Sequence, residues 1–148
     1  MGLVDEVRGQ RICIDTAPFI YFIEEHPNYR EIIRPLFAEI DAGNIEAITS
    51  TITLLEVLVH PLRLGDEVLV EKYREILLSS DGLTTFEILH EVSELAARLR
   101  AKYSIRAPDA IQIAVGILYH ASFFLTNYPN LRKVPEIKVL FLDDYLLK

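Results

Sequence analysis

The fold is decided by Arg11-Ile12-Cys13-Ile14-Asp15-Thr16-Ala17-Pro18-Phe19-Ile20. In this segment a short apolar run ends at a carboxylate, and a hydroxyl and a proline precede a new apolar pattern. This order predicts a buried strand over 11–15 that leads directly into a helix, with Thr16 as its cap and Pro18 in its first turn. Because chemistry in open parallel sheets collects at the carboxyl ends of strands, Asp15 is the first candidate functional residue.

Composition and charge narrow the class of protein. The 148 residues correspond to about one domain, and 51% of them are apolar, which is enough for a sizeable core. A net charge of -7 argues against a protein that binds nucleic acid through a broad basic face. An enzyme that meets phosphate through metal ions stays compatible with this charge, because a carboxylate cluster lowers it.

The sequence also predicts a soluble, cytoplasmic protein that does not enter a membrane. The single cysteine, Cys13, cannot form an internal disulfide and fits a reducing compartment. The N-terminus has no apolar signal-peptide core. The most apolar stretch, 110–125, is interrupted by Gln112 and His120, so it is too mixed for a membrane span.

Apolar periodicity predicts strands that alternate with helices along the chain. The predicted strands cover 11–15, 45–50, 83–86, 121–125 and 138–142. The clearest helical patterns cover 28–42, 66–78, 88–102 and 110–119. We further expect a polar lead-in at 1–10, a helix after the second strand that closes at His60-Pro61, and a loop at 128–131. Such alternation is typical of a parallel sheet covered on both faces, so residues 1–148 are expected to form a single α/β domain.

Two further acids occupy positions where they can meet Asp15. Glu56 lies in an apolar helical stretch after the second strand, where it either faces solvent as the polar side of that helix or is compensated by a partner. Asp109 opens a very apolar helix, where it either complements the helix dipole or joins a site at the sheet edge. Converging carboxylates without a His or Cys cluster favour hard ions such as Mg²⁺ or Mn²⁺. The four histidines show no metal-ligand spacing.

Three sequence blocks carry a family resemblance through their order along the chain. They are Ile12-Cys13-Ile14-Asp15-Thr16, then Thr51-Ile52-Thr53-Leu54-Leu55-Glu56-Val57, and then Arg106-Ala107-Pro108-Asp109-Ala110-Ile111-Gln112-Ile113-Ala114 followed by Phe124-Leu125-Thr126-Asn127. Over about 11–142 the chain resembles the PIN-domain ribonucleases and, in size and layout, the VapC-type toxins of prokaryotic toxin–antitoxin pairs. The resemblance implies a PIN-like three-layer α/β/α sandwich with a central parallel sheet.

The resemblance also implies the site residues and their roles. Asp15, Glu56 and Asp109 match the acidic catalytic and metal-binding positions. Asp15 and Asp109 would hold Mg²⁺ or Mn²⁺, and Glu56 would ligate through water or orient the attacking hydroxide. The supporting positions, which match the hydroxyl after the first acid and the Thr-Asn pair after the fourth strand, are Thr16, Thr126 and Asn127.

One position departs from the family pattern. The family usually has an Asp directly after its Thr-Asn pair, and this chain has Tyr128 there. A fourth carboxylate is therefore missing, which bears on whether two ions bind, and Asn127 could offer a neutral oxygen instead.

The function implied by the resemblance is a metal-dependent endoribonuclease that hydrolyses RNA phosphodiester bonds, as the toxin of a toxin–antitoxin pair. Its partners would be an RNA substrate, a cognate antitoxin protein and a second copy in a homodimer. The alternative is a PIN-fold protein with weak or no catalysis that binds RNA or a protein partner, which Tyr128 favours. The sequence offers no evident aromatic platform for stacking bases.

Overall fold

The computed structural model describes residues 2–146, and in them every strand joins one parallel sheet. The five strands lie in the spatial order β3-β2-β1-β4-β5. They are β1 (Arg11–Ile14), β2 (Glu46–Ser50), β3 (Leu83–Phe86), β4 (Phe123–Thr126) and β5 (Lys138–Phe141). Strand β1 is central, because it pairs with β2 on one side and β4 on the other.

Helices cover both faces of this sheet. They are α1 (Leu3–Val7), α2 (Thr16–Ile23), α3 (Arg30–Asp41), α4 (Thr51–Leu64), α5 (Glu67–Ser79), α6 (His90–Tyr103) and α7 (Ala107–Leu118). Two short 3-10 helices follow the last two strands, at Pro129–Lys133 and Leu142–Tyr145. No helix within residues 2–146 is long and apolar enough to cross a membrane.

The alternation of side chains along the strands builds two separate apolar cores. On β1, Ile12 and Ile14 pack with the helices α1 to α5, whereas Cys13 points to the opposite face and packs with α6 and α7. All three side chains are fully buried, as expected for a central parallel strand. The predicted three-layer α/β/α sandwich is therefore confirmed.

Helix α7 lies unusually close to β1 because of Gly116. A Cβ atom built at Gly116 would lie 3.1 Å from the Cβ of Cys13 and 3.0 Å from the Cδ1 of Ile137. The missing side chain thus lets the helix backbone approach the sheet.

Several local predictions differ from the structure. Residues 3–7 form a helix instead of a polar lead-in, because Leu3 and Val7 lie four residues apart and both enter the core. Helix α4 continues through Pro61 to Leu64 and ends where Gly65 adopts a left-handed φ of 69°. The predicted loop at 128–131 contains a 3-10 helix, and β4 begins two residues later than expected.

Candidate active site

The six side chains named from the sequence line one cavity at the carboxyl ends of β1 and β4. The cavity has a volume of about 230 Å³. Its lining consists of Asp15, Thr16, Ala17, Ile20, Tyr21, Glu56, Arg106, Asp109, Thr126, Asn127 and Tyr128. A second cavity beside α1 is roomier, at about 550 Å³, but Glu31 is the single carboxylate in its lining. The convergence of several acids is therefore a feature of the smaller cavity.

Asp15 is the buried acid at the centre of this cavity. It follows β1 directly, and its side chain caps α2 by accepting a hydrogen bond from the Thr16 N–H at 2.8 Å. The cap is therefore Asp15, and Thr16, which the sequence favoured, is the first helical residue. The second carboxylate oxygen accepts a hydrogen bond from the Thr126 hydroxyl at 2.8 Å, which ties β1 to the end of β4.

The electrostatic environment of Asp15 disfavours its charged form. Burial raises the pKa of Asp15 above its ordinary value, and the carboxylates of Asp109 and Glu56 add to that rise. The hydrogen bonds from Thr126 and Thr16 act in the opposite direction. A cation in this cavity would offset the cost of holding these negative charges together.

Glu56 reaches the cavity from the solvent-exposed side of α4. Its Oε1 accepts a hydrogen bond from the Thr16 hydroxyl at 2.6 Å. Ser50, whose side chain accepts from the Ile52 N–H, caps α4 at the end of β2 and so sets where this helix starts. Glu56 therefore combines both readings left open by the sequence, since it is exposed and also has a partner at the site.

Asp109 lies in the first turn of α7 and is paired with an arginine. Its carboxylate is 4% exposed, and both oxygens accept hydrogen bonds from Arg106, from Nε at 2.7 Å and from Nη2 at 3.1 Å. The Arg106 guanidinium also lies over the ring of Tyr128, with its central carbon 4.5 Å from the ring centroid. Arg106 was not singled out among the cations from the sequence, although its place three residues before a helix-opening acid was a usable signal.

Asn127 organises the rim of the cavity. Its side-chain N–H groups donate to the hydroxyls of Tyr21 at 3.1 Å and Tyr29 at 3.0 Å. Its Oδ1 accepts from the backbone N–H of Asp143 at 3.2 Å. The amide thus holds a stacked tyrosine pair, whose ring centroids are 4.1 Å apart, beside the acids.

A buried network of polar side chains near the cavity was not predicted from the sequence. Gln112, fully buried on α7, donates to the Thr53 hydroxyl at 2.6 Å and accepts from the Ser50 hydroxyl at 2.6 Å. Thr53 lies 3.3 Å from the Thr16 hydroxyl and 2.9 Å from that of Thr49. A polar residue within a very apolar helix was the available signal. These bonds lock the N-terminal part of α4 against α7 and hence fix the origins of Glu56 and Asp109.

The oxygen atoms in the cavity suit a hard divalent ion, but the acidic side chains are not arranged around a common ion position. The cavity offers carboxylate and hydroxyl oxygens, the ligands that Mg²⁺ and Mn²⁺ prefer. Within residues 2–146, no three His, Cys, Asp or Glu side chains are arranged to hold a metal ion as they stand. The guanidinium of Arg106 bonds to both oxygens of Asp109, so a cation at this acid would compete with the arginine.

Comparison with known proteins gives one family and a group of solved structures. The sequence model of the PIN domain matches residues 12–137. FitAB bound to an IR36 DNA fragment has a TM-score of 0.71 and 18% identity, over 93% of this chain and 97% of that chain. VapBC2 from Rickettsia felis, bound to a DNA fragment from its promoter, has a TM-score of 0.69 and 18% identity, over 88% of this chain and 98% of that chain.

A third solved structure, that of a toxin, has a similar fold. VapC20 from Mycobacterium tuberculosis, a toxin that cleaves the sarcin-ricin loop, has a TM-score of 0.67 and 15% identity, over 86% of this chain and 98% of that chain. At these identities the likeness concerns the fold alone. Curated proteins give no significant match.

Proposed function

This chain belongs to the PIN domain family, and from that premise we propose that it is a metal-dependent endoribonuclease that hydrolyses RNA phosphodiester bonds. The observation that carries the proposal is the convergence of Asp15, Glu56 and Asp109 on one cavity at the carboxyl ends of β1 and β4. These acids come from three distant parts of the sequence, so the fold itself brings them together.

The three acids divide into two roles in the proposed reaction. Asp15 and Asp109 would hold a Mg²⁺ or Mn²⁺ ion, and Glu56 would ligate the ion through water or orient the attacking hydroxide. When bound, such an ion polarises a phosphodiester and lowers the pKa of a water ligand. Thr126 keeps the Asp15 carboxylate aimed into the cavity, and Thr16 does the same for Glu56.

RNA is the proposed substrate because the cavity lining combines aromatic rings with a cation. Tyr128 is 36% exposed and carries the Arg106 guanidinium on its face, and Tyr21 also lines the cavity. Aromatic and guanidinium planes stack unpaired bases, and arginine binds phosphate in two-pronged fashion. An exposed aromatic ring at the position of the missing fourth acid supports this proposal.

A cleavage assay tests the proposal. Purified chain is incubated with a pool of single-stranded RNAs in Mn²⁺ and in EDTA, beside Asp15→Asn and the control Asp66→Asn. Asp66 is also a helix-capping aspartate, but it is exposed and outside the cavity. We expect cleavage that needs Mn²⁺, is lost in Asp15→Asn and is kept in Asp66→Asn. Cleavage retained in Asp15→Asn would refute the site.

A PIN-fold protein that binds RNA or a partner without cutting is the second candidate. The pairing of Arg106 with Asp109 and the aromatic ring at position 128 favour it, since both weaken the case for a high-affinity ion site. Absence of cleavage of every RNA tested, together with measurable RNA binding, would select this candidate over the nuclease.

We propose that the chain acts as the toxin of a toxin–antitoxin pair, with a cognate antitoxin protein as partner. The fold neighbours support this role, since VapC20 is a toxin that cleaves the sarcin-ricin loop. A surface for such a partner is the apolar stripe of α4, where Leu55, Val59 and Leu62 are 61%, 39% and 56% exposed at helical spacing. Co-purification with the product of an adjacent small gene, and its loss in Leu55→Glu, tests the assignment.

Two further properties remain predictions. The expected homodimer is tested by the molar mass of the purified chain in light scattering. A cytoplasmic location rests on Cys13, the chain's one cysteine, whose thiol is fully buried with a raised pKa and so suits a structural role in a reduced protein.

A further inference from the structure

The chain itself places a positive charge, that of Arg106, among the acids of this cavity. Arg106 is the one basic residue among the described residues that line the cavity, where it stands against three acids. Its side chain is 62% exposed, whereas that of its partner Asp109 is 5% exposed. The acid is therefore fixed in the protein interior, and the arginine is the member of the pair that can move into solvent.

The pair has the geometry of a strong but replaceable contact. Two N–H···O bonds at 2.7 and 3.1 Å engage both oxygens of Asp109. Each oxygen keeps a further lone pair, but an ion bound there would lie beside the positive guanidinium, and the repulsion between the two charges would favour withdrawal of the arginine. Because the Arg106 head is largely hydrated, its release costs little compared with the removal of a buried cation.

Tyr128 offers a contact for a released guanidinium. The arginine already rests on this ring, with its central carbon 4.5 Å from the ring centroid, and the ring lines the cavity. Pivoting on Tyr128 would move the positive charge away from Asp109 while keeping it beside the cavity. A fourth carboxylate at position 128 would instead hold the arginine inside the cluster.

We propose that Arg106 is an internal counter-cation that holds Asp109 while no ion is bound, yields this carboxylate to the divalent ion, and then contacts a phosphate of the RNA. This proposal rests on the proposed function, since it assigns a positioning role within the same site. It predicts two opposite changes in affinity when Arg106 is removed. The affinity for the divalent ion should rise, and the affinity for RNA should fall.

The chain offers a matched control for this residue. Arg132 also donates to both oxygens of an acid, Asp144, in this case from the single nitrogen Nη2 and at 2.8 Å to each oxygen. It also lies over an aromatic ring, that of Phe141, at 4.5 Å. Neither Arg132 nor Asp144 lines the cavity. Arg132→Gln therefore removes an acid contact and an aromatic contact, as Arg106→Gln does, at a place outside the acidic cavity.

The experiment titrates Mn²⁺ by calorimetry into the intact chain and into Arg106→Gln, Arg132→Gln and Asp15→Asn. Binding of a fluorescent single-stranded RNA, with phosphorothioate linkages to slow hydrolysis, is then measured in Mn²⁺. We expect Arg106→Gln to bind Mn²⁺ roughly five- to tenfold more tightly and RNA more weakly than the unmodified chain. Arg132→Gln should match the unmodified chain in both measurements.

The outcomes separate this inference from the proposed function. Unchanged or weaker Mn²⁺ binding in Arg106→Gln, with binding still lost in Asp15→Asn, overturns the counter-cation and leaves the metal site standing. No Mn²⁺ binding by any of the chains overturns both. If Arg106→Gln does not fold, Arg106→Lys takes its place, since an ammonium cannot make the two-pronged bond and should also bind Mn²⁺ more tightly than the arginine does.

Discussion

Replacing Asp15 with Asn is expected to stabilise the ion-free protein at neutral pH. The Asp15 carboxylate is 9% exposed and feels the negative charges of Asp109 and Glu56. Asparagine keeps the helix cap, because its Oδ1 can accept from the Thr16 N–H, and its amide can donate to the Thr126 hydroxyl. The substitution therefore removes a buried charge without removing its hydrogen bonds.

The sign follows from the raised pKa of Asp15. A carboxyl group whose pKa is higher in the folded than in the unfolded chain binds more protons when folded, so its ionisation lowers the free energy of unfolding as pH rises. The advantage of asparagine is thus complete above the folded pKa and vanishes below the ordinary value near 3.8. We expect a gain of about 1–2 kcal/mol at pH 7, the scale for relieving a buried polar group that keeps its partners.

Thermal unfolding in EDTA measures this gain. For a chain of this size, it corresponds to a rise in melting temperature of roughly 3–8 °C. Saturating Mn²⁺ should reverse the order, since the ion stabilises only the chain that binds it. Asp66, the exposed residue that caps α5, offers a control. Asp66→Asn should have the same melting temperature as the unmodified chain. If Asp15→Asn melts below the unmodified chain in EDTA at pH 7, the buried carboxylate is not a source of instability and our reasoning fails.

Three other substitutions test how the site is supported. Gly116→Val should lower the free energy of unfolding by about 1–3 kcal/mol, because the valine side chain would enter the close contact between α7 and β1. An unchanged midpoint in urea denaturation would contradict that packing. Thr126→Val removes a hydrogen bond to Asp15 and should weaken Mn²⁺ binding about tenfold in calorimetry, with equal affinity as the refuting result. Gln112→Leu leaves the Thr53 hydroxyl without its amide partner and should lower the free energy of unfolding, measured by urea denaturation, by about 1–3 kcal/mol. An unchanged free energy of unfolding would show that the buried network is dispensable.

The sequence predicted the parts of the fold that depend on local pattern. The strand that ends at Asp15 was visible because a continuous apolar run stops at an acid, and the weak strand Leu83–Phe86 was placed correctly between turn and helix signals. Helix α1 was missed because its five residues span little more than one turn, which is too short to establish a period.

The candidate site was predicted only as far as its acids. Asp15, Glu56 and Asp109 could be named because each follows a strand or starts a helix, where parallel topology brings distant residues together. The partner of Asp109 was not named, because the i,i+3 spacing of Arg106 permits the pair without showing that it forms. The role of Gln112 depends on hydrogen bonds to α4 that no local pattern encodes.

The most direct test of the metal site is an anomalous diffraction measurement on crystals soaked in Mn²⁺. The account predicts a manganese peak in contact with the carboxylates of Asp15 and Asp109, with the Arg106 guanidinium withdrawn from Asp109. A cavity without a peak at saturating Mn²⁺, with Arg106 still bonded to both oxygens of Asp109, would contradict it.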